Sequence, residues 1–370
     1  MRKPPACRRR GARPTGGRAR TVVELTSLRP GYEFAPVIKG GWQLAGDHGP
    51  VDRARAVADM ERFLDAGIAA FDCADIYVGV EEMIGEFIER VRRSRGREAA
   101  EAIKVHTKLV PDFDRLRTIS PAGIEAIVDR SLKRLRLEQL PLVQFYWWDL
   151  ARGRPYEVLS CLKDIQKKGK IGLLGVSNWS EAAMQPFIDA GFDLVSTQVQ
   201  YSLLDNRPAG AFSRWCAGNR MKMLCYGTLA GGFLTERWLG ADDPGYEFVN
   251  RSLVKYRLII DEFGGWTLFQ ELMQALAAVA RKHGTTIGAV AARWVLDRPQ
   301  VGAVIIGART AGRLAETVSI FDLELDREDR LAIDAVLARR RGPNGSVYEL
   351  EGDRTGRHGR IMKYNLGRAQ

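Results

Sequence analysis

Histidine and organised cysteine are scarce in this 370-residue chain, which has four histidines and five cysteines, at 7, 73, 161, 216 and 225, with no CxxC pair among them. An odd, scattered set of that kind argues against a disulfide framework or a zinc site, and suits a reducing compartment such as the cytoplasm. No metal is expected. Long apolar runs are missing too: nothing approaches the roughly 20 residues of a membrane-spanning helix, and no charged-then-apolar signal peptide opens the sequence. Glycine-rich nucleotide motifs are also absent, since neither GxGxxG nor GxxxxGK[ST] occurs. A doubly wound dinucleotide fold and a P-loop enzyme are thereby disfavoured.

Positive charge is abundant but uneven. Residues 1–20 hold seven Arg, one Lys and no acidic residue, so eight of the formal net charge of +11 sit in that arm and three in the remainder. Residues 1–32 read as a basic extension expected to be disordered, not as a nucleic-acid surface, which would interleave aromatic and basic side chains. Neither nucleic acid nor membrane is an expected partner. With 45% hydrophobic and 27% charged residues, the rest is long enough for one large core.

That core has a clear period. Short apolar or β-rich runs end near Gly40, Asp72, Thr107, Tyr146, Gly175, Gln198, Tyr226 and Ile306, most of them a strand plus a crossover helix apart. Helical patterns lie between them at 52–66, 120–135, 156–168, 180–190 and 311–320. Eight strand ends with alternating helices predict an α/β fold, a (β/α)8 TIM barrel over residues 33–340. The longest interval contains a Gly- and aromatic-rich segment at 231–266, read as a lid or binding loop, and then two helices at 267–283 and 286–297. A further helix at 327–340 precedes a polar, Gly-rich C-terminal tail at 341–370 to which the sequence assigns no role.

In a parallel barrel the chemistry gathers at the C-terminal ends of the strands, where Asp72, Lys108 and Tyr146 fall, with Tyr77 one loop beyond Asp72. A phenol near an ammonium has its anion favoured, and a carboxylate can hold the ammonium in place. The expectation is therefore a proton-transfer site in which Lys108 brings the Tyr77 pKa toward neutrality. Trp42, Trp147 and Trp148 stand at or after strand ends and read as pocket walls, with His48 in the loop after the first barrel strand. His106, two residues before Lys108, should face the same side and lie beneath it.

The motif DxAxxY at 72–77, the TK pair at 107–108 and the GVSN block at 175–178 resemble the aldo-keto reductase superfamily over roughly residues 33–320. That resemblance implies a (β/α)8 barrel using NADP(H), with Tyr77 as general acid, Lys108 beside it and Asp72 behind Lys108. It also implies that Ser177, Asn178 and Gln198 contact the nicotinamide amide and that Tyr226 stacks on its ring, with Trp42 on the same cofactor side. Gly307, Arg309, Arg313, Glu316 and Thr317 match the adenine and 2′-phosphate segment, although Thr317 stands where the family usually has Asn. The implied partner is a small carbonyl or alcohol substrate, handled by a monomer or small homo-oligomer.

One residue departs from the pattern. Aligning VQFYWWD with the family's LQLHWxD places Tyr146 in the slot of a histidine that orients the substrate carbonyl. Tyrosine keeps a hydrogen-bond donor there but differs from imidazole in length and acidity. Relatives with other residues in this slot include enzymes acting on carbon–carbon double bonds and slow, channel-associated subunits. Two readings follow: an active oxidoreductase, or a slow or inactive NADP(H) sensor or regulatory subunit.

Overall fold

The apolar runs form strands because their branched and aromatic side chains bury on both faces of a parallel sheet, as the fully buried β-strands below show. The structure, a computed structural model, describes residues 23–46 and 49–366; most of the basic extension and His48 lie outside these residues.

A hairpin of β1 (Thr26–Arg29) and β2 (Tyr32–Phe34) comes first, followed by β3 (Val37–Gly40), α1 (Arg53–Asp65), β4 (Ala70–Asp72), α2 (Val80–Arg95) and α3 (Arg97–Glu101). Next are β5 (Lys104–Leu109), α4 (Pro121–Leu135), β6 (Leu140–Phe145), α5 (Pro155–Lys167), β7 (Ile171–Ser177) and α6 (Glu181–Asp189). The barrel is completed by β8 (Leu194–Gln200), α7 (Ala211–Gly218), β9 (Lys222–Tyr226), α8 (Arg251–Phe263), α9 (Trp266–His283), α10 (Ile287–Leu296), β10 (Val301–Gly307) and α11 (Leu314–Asp322). Strands β3 to β10 close into an eight-stranded barrel, each paired in parallel with its neighbours, as the period of the sequence predicts. Beyond it lie α12 (Arg327–Leu337) and a short α13 (Glu349–Gly352).

Local chemistry sets the helix starts. Side chains of Asp52, Ser120, Ser180 and Thr286 each accept a hydrogen bond from the backbone three residues on, and Asp326 forms a reciprocal capping box with Asp329. Register then fixes the mouth: Gly40 pairs with Asp72, Lys108 with Gln144, Ser177 with Gln198, and Gln200 with Tyr226. The polar residues at the strand ends are therefore brought to one level of the barrel.

Two expectations need correction. Residues 26–34 are a hairpin, so the boundary at residue 32 falls inside an ordered element. Its Leu28 and Phe34 bury against Ile38, Ala70, Leu142 and Leu224, sealing the floor of the barrel, each such burial contributing about 1.5–3 kcal/mol. His106 sits on that floor, 5.0 Å from the Phe34 ring, and burial pushes its pKa down to about 3, so the imidazole is neutral. Second, the segment read as loop at 231–266 contains α8, capped by Asn250 and burying Tyr256, Leu258, Ile259, Ile260 and Phe263. The C-terminal tail, which the sequence left without a role, packs back onto the mouth, where Glu351 is 1% exposed.

Among the described residues, the grouping His283, Asp326 and Asp329 has the spacing of metal ligands. The Lys282 ammonium already lies 2.6 Å from Asp326 and 2.9 Å from Asp329, which makes this an ion-paired helix cap.

Candidate active site

At the end of β4, Asp72 accepts two hydrogen bonds on one oxygen, from the Lys108 ammonium at 2.7 Å and from the Gln198 amide at 2.7 Å. Lys108 also donates to the Cys73 carbonyl at 2.8 Å, so β4, β5 and β8 jointly fix the ammonium. Burial works against that charge, but Asp72 and then Tyr77 outweigh it, and the Lys108 pKa is raised. Tyr77 reaches the same spot from the turn before α2, its backbone tied to Ala74 and Val80. The Lys108 ammonium lies over its ring at 5.1 Å, and Trp42 packs against the ring at 5.0 Å.

The expected lowering of the Tyr77 pKa is overturned in sign. Burial is the dominant influence and raises it; Lys108 pulls the other way but not far enough, and the pKa is pushed up to about 12. Tyr77 is a neutral phenol at physiological pH, with a cation placed to receive the phenolate.

Tyr146 follows β6 and points into the same cleft, its ring edge-on to Trp148 at 4.8 Å. Its hydroxyl is 2.9 Å from that of Tyr348, a residue of the C-terminal tail. Burial first, and Tyr348 next, raise its pKa well above the usual phenol value, so this group is a hydrogen-bonding hydroxyl and not an ionising one.

A single cleft of about 740 Å³ runs from this cluster to the start of α11. Of the residues singled out by sequence, it brings together Asp72, Tyr77, Lys108, Tyr146, Trp42, Trp148, Ser177, Asn178, Gln198 and Tyr226 at one end, and Gly307, Arg309, Arg313, Glu316 and Thr317 at the other. Trp147 is not among them: it is buried behind β6, its indole N–H donating to the Arg152 carbonyl at 2.9 Å, because the residue after Tyr146 points away from the mouth. His48 lies outside the described residues. Within the cleft, Ser177 donates to the Gln198 carbonyl at 3.4 Å, and Asn178 takes the left-handed backbone conformation at φ 61° while accepting from the Tyr226 hydroxyl at 2.9 Å. The Thr317 hydroxyl is turned back to the Arg313 carbonyl at 3.2 Å.

The far loop is held from beneath by two buried side chains. Lys39 donates to the carbonyls of Gly40 and Ala308, both at 3.1 Å, and Asp59 accepts from the Ala311 N–H at 2.9 Å. Burial lowers the Lys39 pKa to about 8, partly offset by Asp59 and Asp72.

Sequence reasoning missed several residues in this cleft. Lys255 and Tyr256 on α8 line it, the Lys255 ammonium 5.0 Å over the Tyr226 ring and 3.8 Å from Glu351. Gly227 is required here: its φ is +71°, and a Cβ would fall 2.4 Å from the Tyr256 hydroxyl. Tyr348, Ile361, Met362, Lys363 and Leu366 come from the tail. The only signal for them was aromatic and acidic residues inside a stretch otherwise typical of a loop.

Comparison with known proteins agrees with the barrel fold. A family model described as the Aldo/keto reductase family matches residues 36–338. The chain is 27% identical over 326 residues to the aldo-keto reductase YhdN of Bacillus subtilis (strain 168), covering 85% of this chain and 94% of that one. It is 27% identical over 312 residues to the aldo-keto reductase yakc [NADP(+)] of Schizosaccharomyces pombe (strain 972 / ATCC 24843), with 82% and 88% covered. Among solved structures, that of the glycerol dehydrogenase AKR11B4 from Gluconobacter oxydans matches with a TM-score of 0.71 and 26% identity, over 88% of this chain and 98% of that one.

Proposed function

Because the chain belongs to the aldo/keto reductase family, we propose that it reduces a small carbonyl compound with NADPH, Tyr77 donating the proton, or runs the reverse oxidation of the alcohol. Membership makes it an oxidoreductase acting on carbonyl or alcohol groups. The observation that carries the finer reading is the Lys108 ammonium, locked by Asp72 at 2.7 Å and lying over the Tyr77 ring in the cleft that also holds Ser177, Asn178 and Gln198.

The residues present fit a dinucleotide. Polar side chains of Ser177, Asn178 and Gln198 stand at one end of the cleft and the guanidinium groups of Arg309 and Arg313 at the other. In the same cleft the buried Gln43 Oε1 has no hydrogen-bond partner among the described residues and lies beside Gly307, where a Cβ would clash with it. When bound, the cofactor supplies the hydride. The chain supplies the rest: Tyr77 gives its proton to the carbonyl oxygen, Lys108 stabilises the phenolate that remains, and Asp72 keeps Lys108 in place. Tyr146 directs a hydroxyl at the same oxygen, replacing the family's histidine. The scattered thiols suit a reducing cytoplasm, and no described helix is long and apolar enough to cross a membrane.

The reading is tested by following NADPH consumption over a panel of aldehydes, ketones and enones, wild type beside Tyr146→His. Turnover on carbonyls supports it; tight NADPH binding with no turnover by either protein assigns the chain to the sensor class instead. Arg313→Ala is expected to weaken NADPH binding about 10–100-fold, the size of a lost charge-assisted hydrogen bond, while NADH binding changes by less than about twofold. Equal losses for both cofactors in a fluorescence titration would remove the 2′-phosphate assignment.

A pH profile follows from the Tyr77 pKa of about 12. A raised pKa keeps the acid protonated, so kcat/KM for reduction should stay level from pH 6 to pH 9 and decline only as pH approaches that value. Oxidation needs the phenolate and should rise by about tenfold per pH unit over the same range. A reduction limb that falls with an apparent pKa near neutrality would contradict burial as the dominant influence.

A further inference from the structure

The carbonyl reading leaves one phenol beside Tyr146 without a task. Tyr348 lines the cleft beside Tyr146, and the two hydroxyls, 2.9 Å apart, are each other's hydrogen-bond partner. Tyr348 is 202 residues from Tyr146 in sequence, so its presence at the mouth has to be built. Its backbone is held in the left-handed region at φ 61°, a conformation that costs of order 1–3 kcal/mol for a non-glycine residue and persists only where surroundings impose it. Those surroundings are visible three residues on: both carboxylate oxygens of Glu351 accept from Arg207 at 3.2 Å, and Asp205 accepts from the same guanidinium at 2.7 Å. Burial keeps the Tyr348 pKa above the ordinary phenol value, so at working pH the pair carries two O–H protons.

Counting donors limits what the pair can receive. One proton is used between the two oxygens, which leaves one O–H and the lone pairs of both oxygens facing the cleft. A plain carbonyl takes that O–H and nothing else. A carbonyl with a hydroxyl on the adjacent carbon does more. Its carbonyl oxygen accepts from Tyr146, its hydroxyl donates to Tyr348, and Tyr348 donates to Tyr146, so every proton in the ring of contacts has an acceptor. In a desolvated cleft the hydroxyl of such a substrate is itself a donor that carries the full cost of its lost water unless an oxygen accepts it, and Tyr348 supplies that oxygen.

Resting on the carbonyl-reductase reading above, we propose that Tyr348 and Tyr146 form a two-oxygen clamp selecting α-hydroxy carbonyl substrates or, in the reverse direction, vicinal diols. The tail is then part of the specificity machinery, with Tyr348 holding the hydroxyl next to the reacting carbon and Tyr146 the reacting oxygen.

The test compares NADPH-dependent reduction of lactaldehyde and propanal, which have the same carbon chain and differ by one α-hydroxyl, using full-length wild type and Tyr348→Phe. Phenylalanine keeps the edge-on ring packing against Tyr146, at 6.1 Å between centroids, and removes only the oxygen. The expected result is a fall of about 5–10-fold in the ratio of kcat/KM for lactaldehyde over that for propanal, the worth of one neutral hydrogen bond, expressed mainly in the lactaldehyde KM. An unchanged ratio, whatever the absolute rates, overturns the clamp and leaves the carbonyl reading intact. A wild type that binds NADPH but reduces neither aldehyde overturns both.

Discussion

Replacing Tyr77 with phenylalanine is expected to lower kcat for carbonyl reduction by about 10²–10⁴-fold, the range contributed by a positioned proton donor. The reasoning is local. Tyr77 is a neutral phenol of pKa about 12 at the head of the cluster, with the Lys108 ammonium over its ring to receive the anion, whereas the cleft phenol beside Lys255, Tyr226, already gives its O–H to Asn178 at 2.9 Å. Phenylalanine keeps the ring that packs on Trp42 at 5.0 Å, so the cleft retains its shape and NADPH should bind within about twofold of wild type, since no charged contact is lost. Single-turnover measurements with saturating cofactor separate the two quantities. A variant that keeps more than a tenth of wild-type kcat would transfer the proton-donor role elsewhere, Tyr146 being the next hydroxyl in reach.

Arg207→Leu should produce the largest loss of stability, about 3–5 kcal/mol, the cost of breaking a buried charge network by removing one partner. Arg207 has a side chain 2% exposed and serves two carboxylates with side chains at 0%, those of Asp205 and Glu351. Burial alone would raise the Glu351 pKa, but Lys255 and Arg207 hold it below the usual carboxylate value. Without the guanidinium, the two carboxylates lose the cation they share, and Lys255 remains at 3.8 Å from Glu351. The denaturant midpoint should fall, and trypsin should cut the segment after residue 341 faster than in wild type. The double variant Arg207→Leu, Glu351→Leu should recover part of the loss, because one stranded carboxylate is gone. A midpoint equal to that of wild type would show the network to be energetically neutral.

These two residues also mark how far the sequence could be read. Tyr77, Asp72 and Lys108 were legible because charged and phenolic side chains interrupt apolar strands at a fixed phase, and the barrel brings every strand end to one rim. The strand ends agree with the observed ones to within two residues, as at Thr107 against Leu109 or Gly175 against Ser177. Arg207, Lys255, Glu351 and Tyr348 were not legible. Their contacts span up to 202 residues with no periodicity to announce them, and the tail that carries two of them looks like surface loop by composition. Helix α8 was hidden by the glycines and aromatic residues that flank it. The floor hairpin was hidden by its length, strands of four and three residues directly after a basic arm. Trp147 was misassigned for a smaller reason: neighbouring residues at a strand end face opposite ways, and only Trp148 turns toward the mouth. The direction of the Tyr77 pKa depends on how completely Trp42 and the loops cover the phenol, which is a property of packing.

The ion-paired anchor of the tail divides the chain between two kinds of inheritance. Most of the groove suited to the dinucleotide is complete by Thr317, whereas the phenol that meets Tyr146 and the carboxylate that fixes it arrive only at Tyr348 and Glu351. If the clamp operates, changes around Tyr348 and Glu351 redirect what is reduced while leaving most of the cofactor groove untouched.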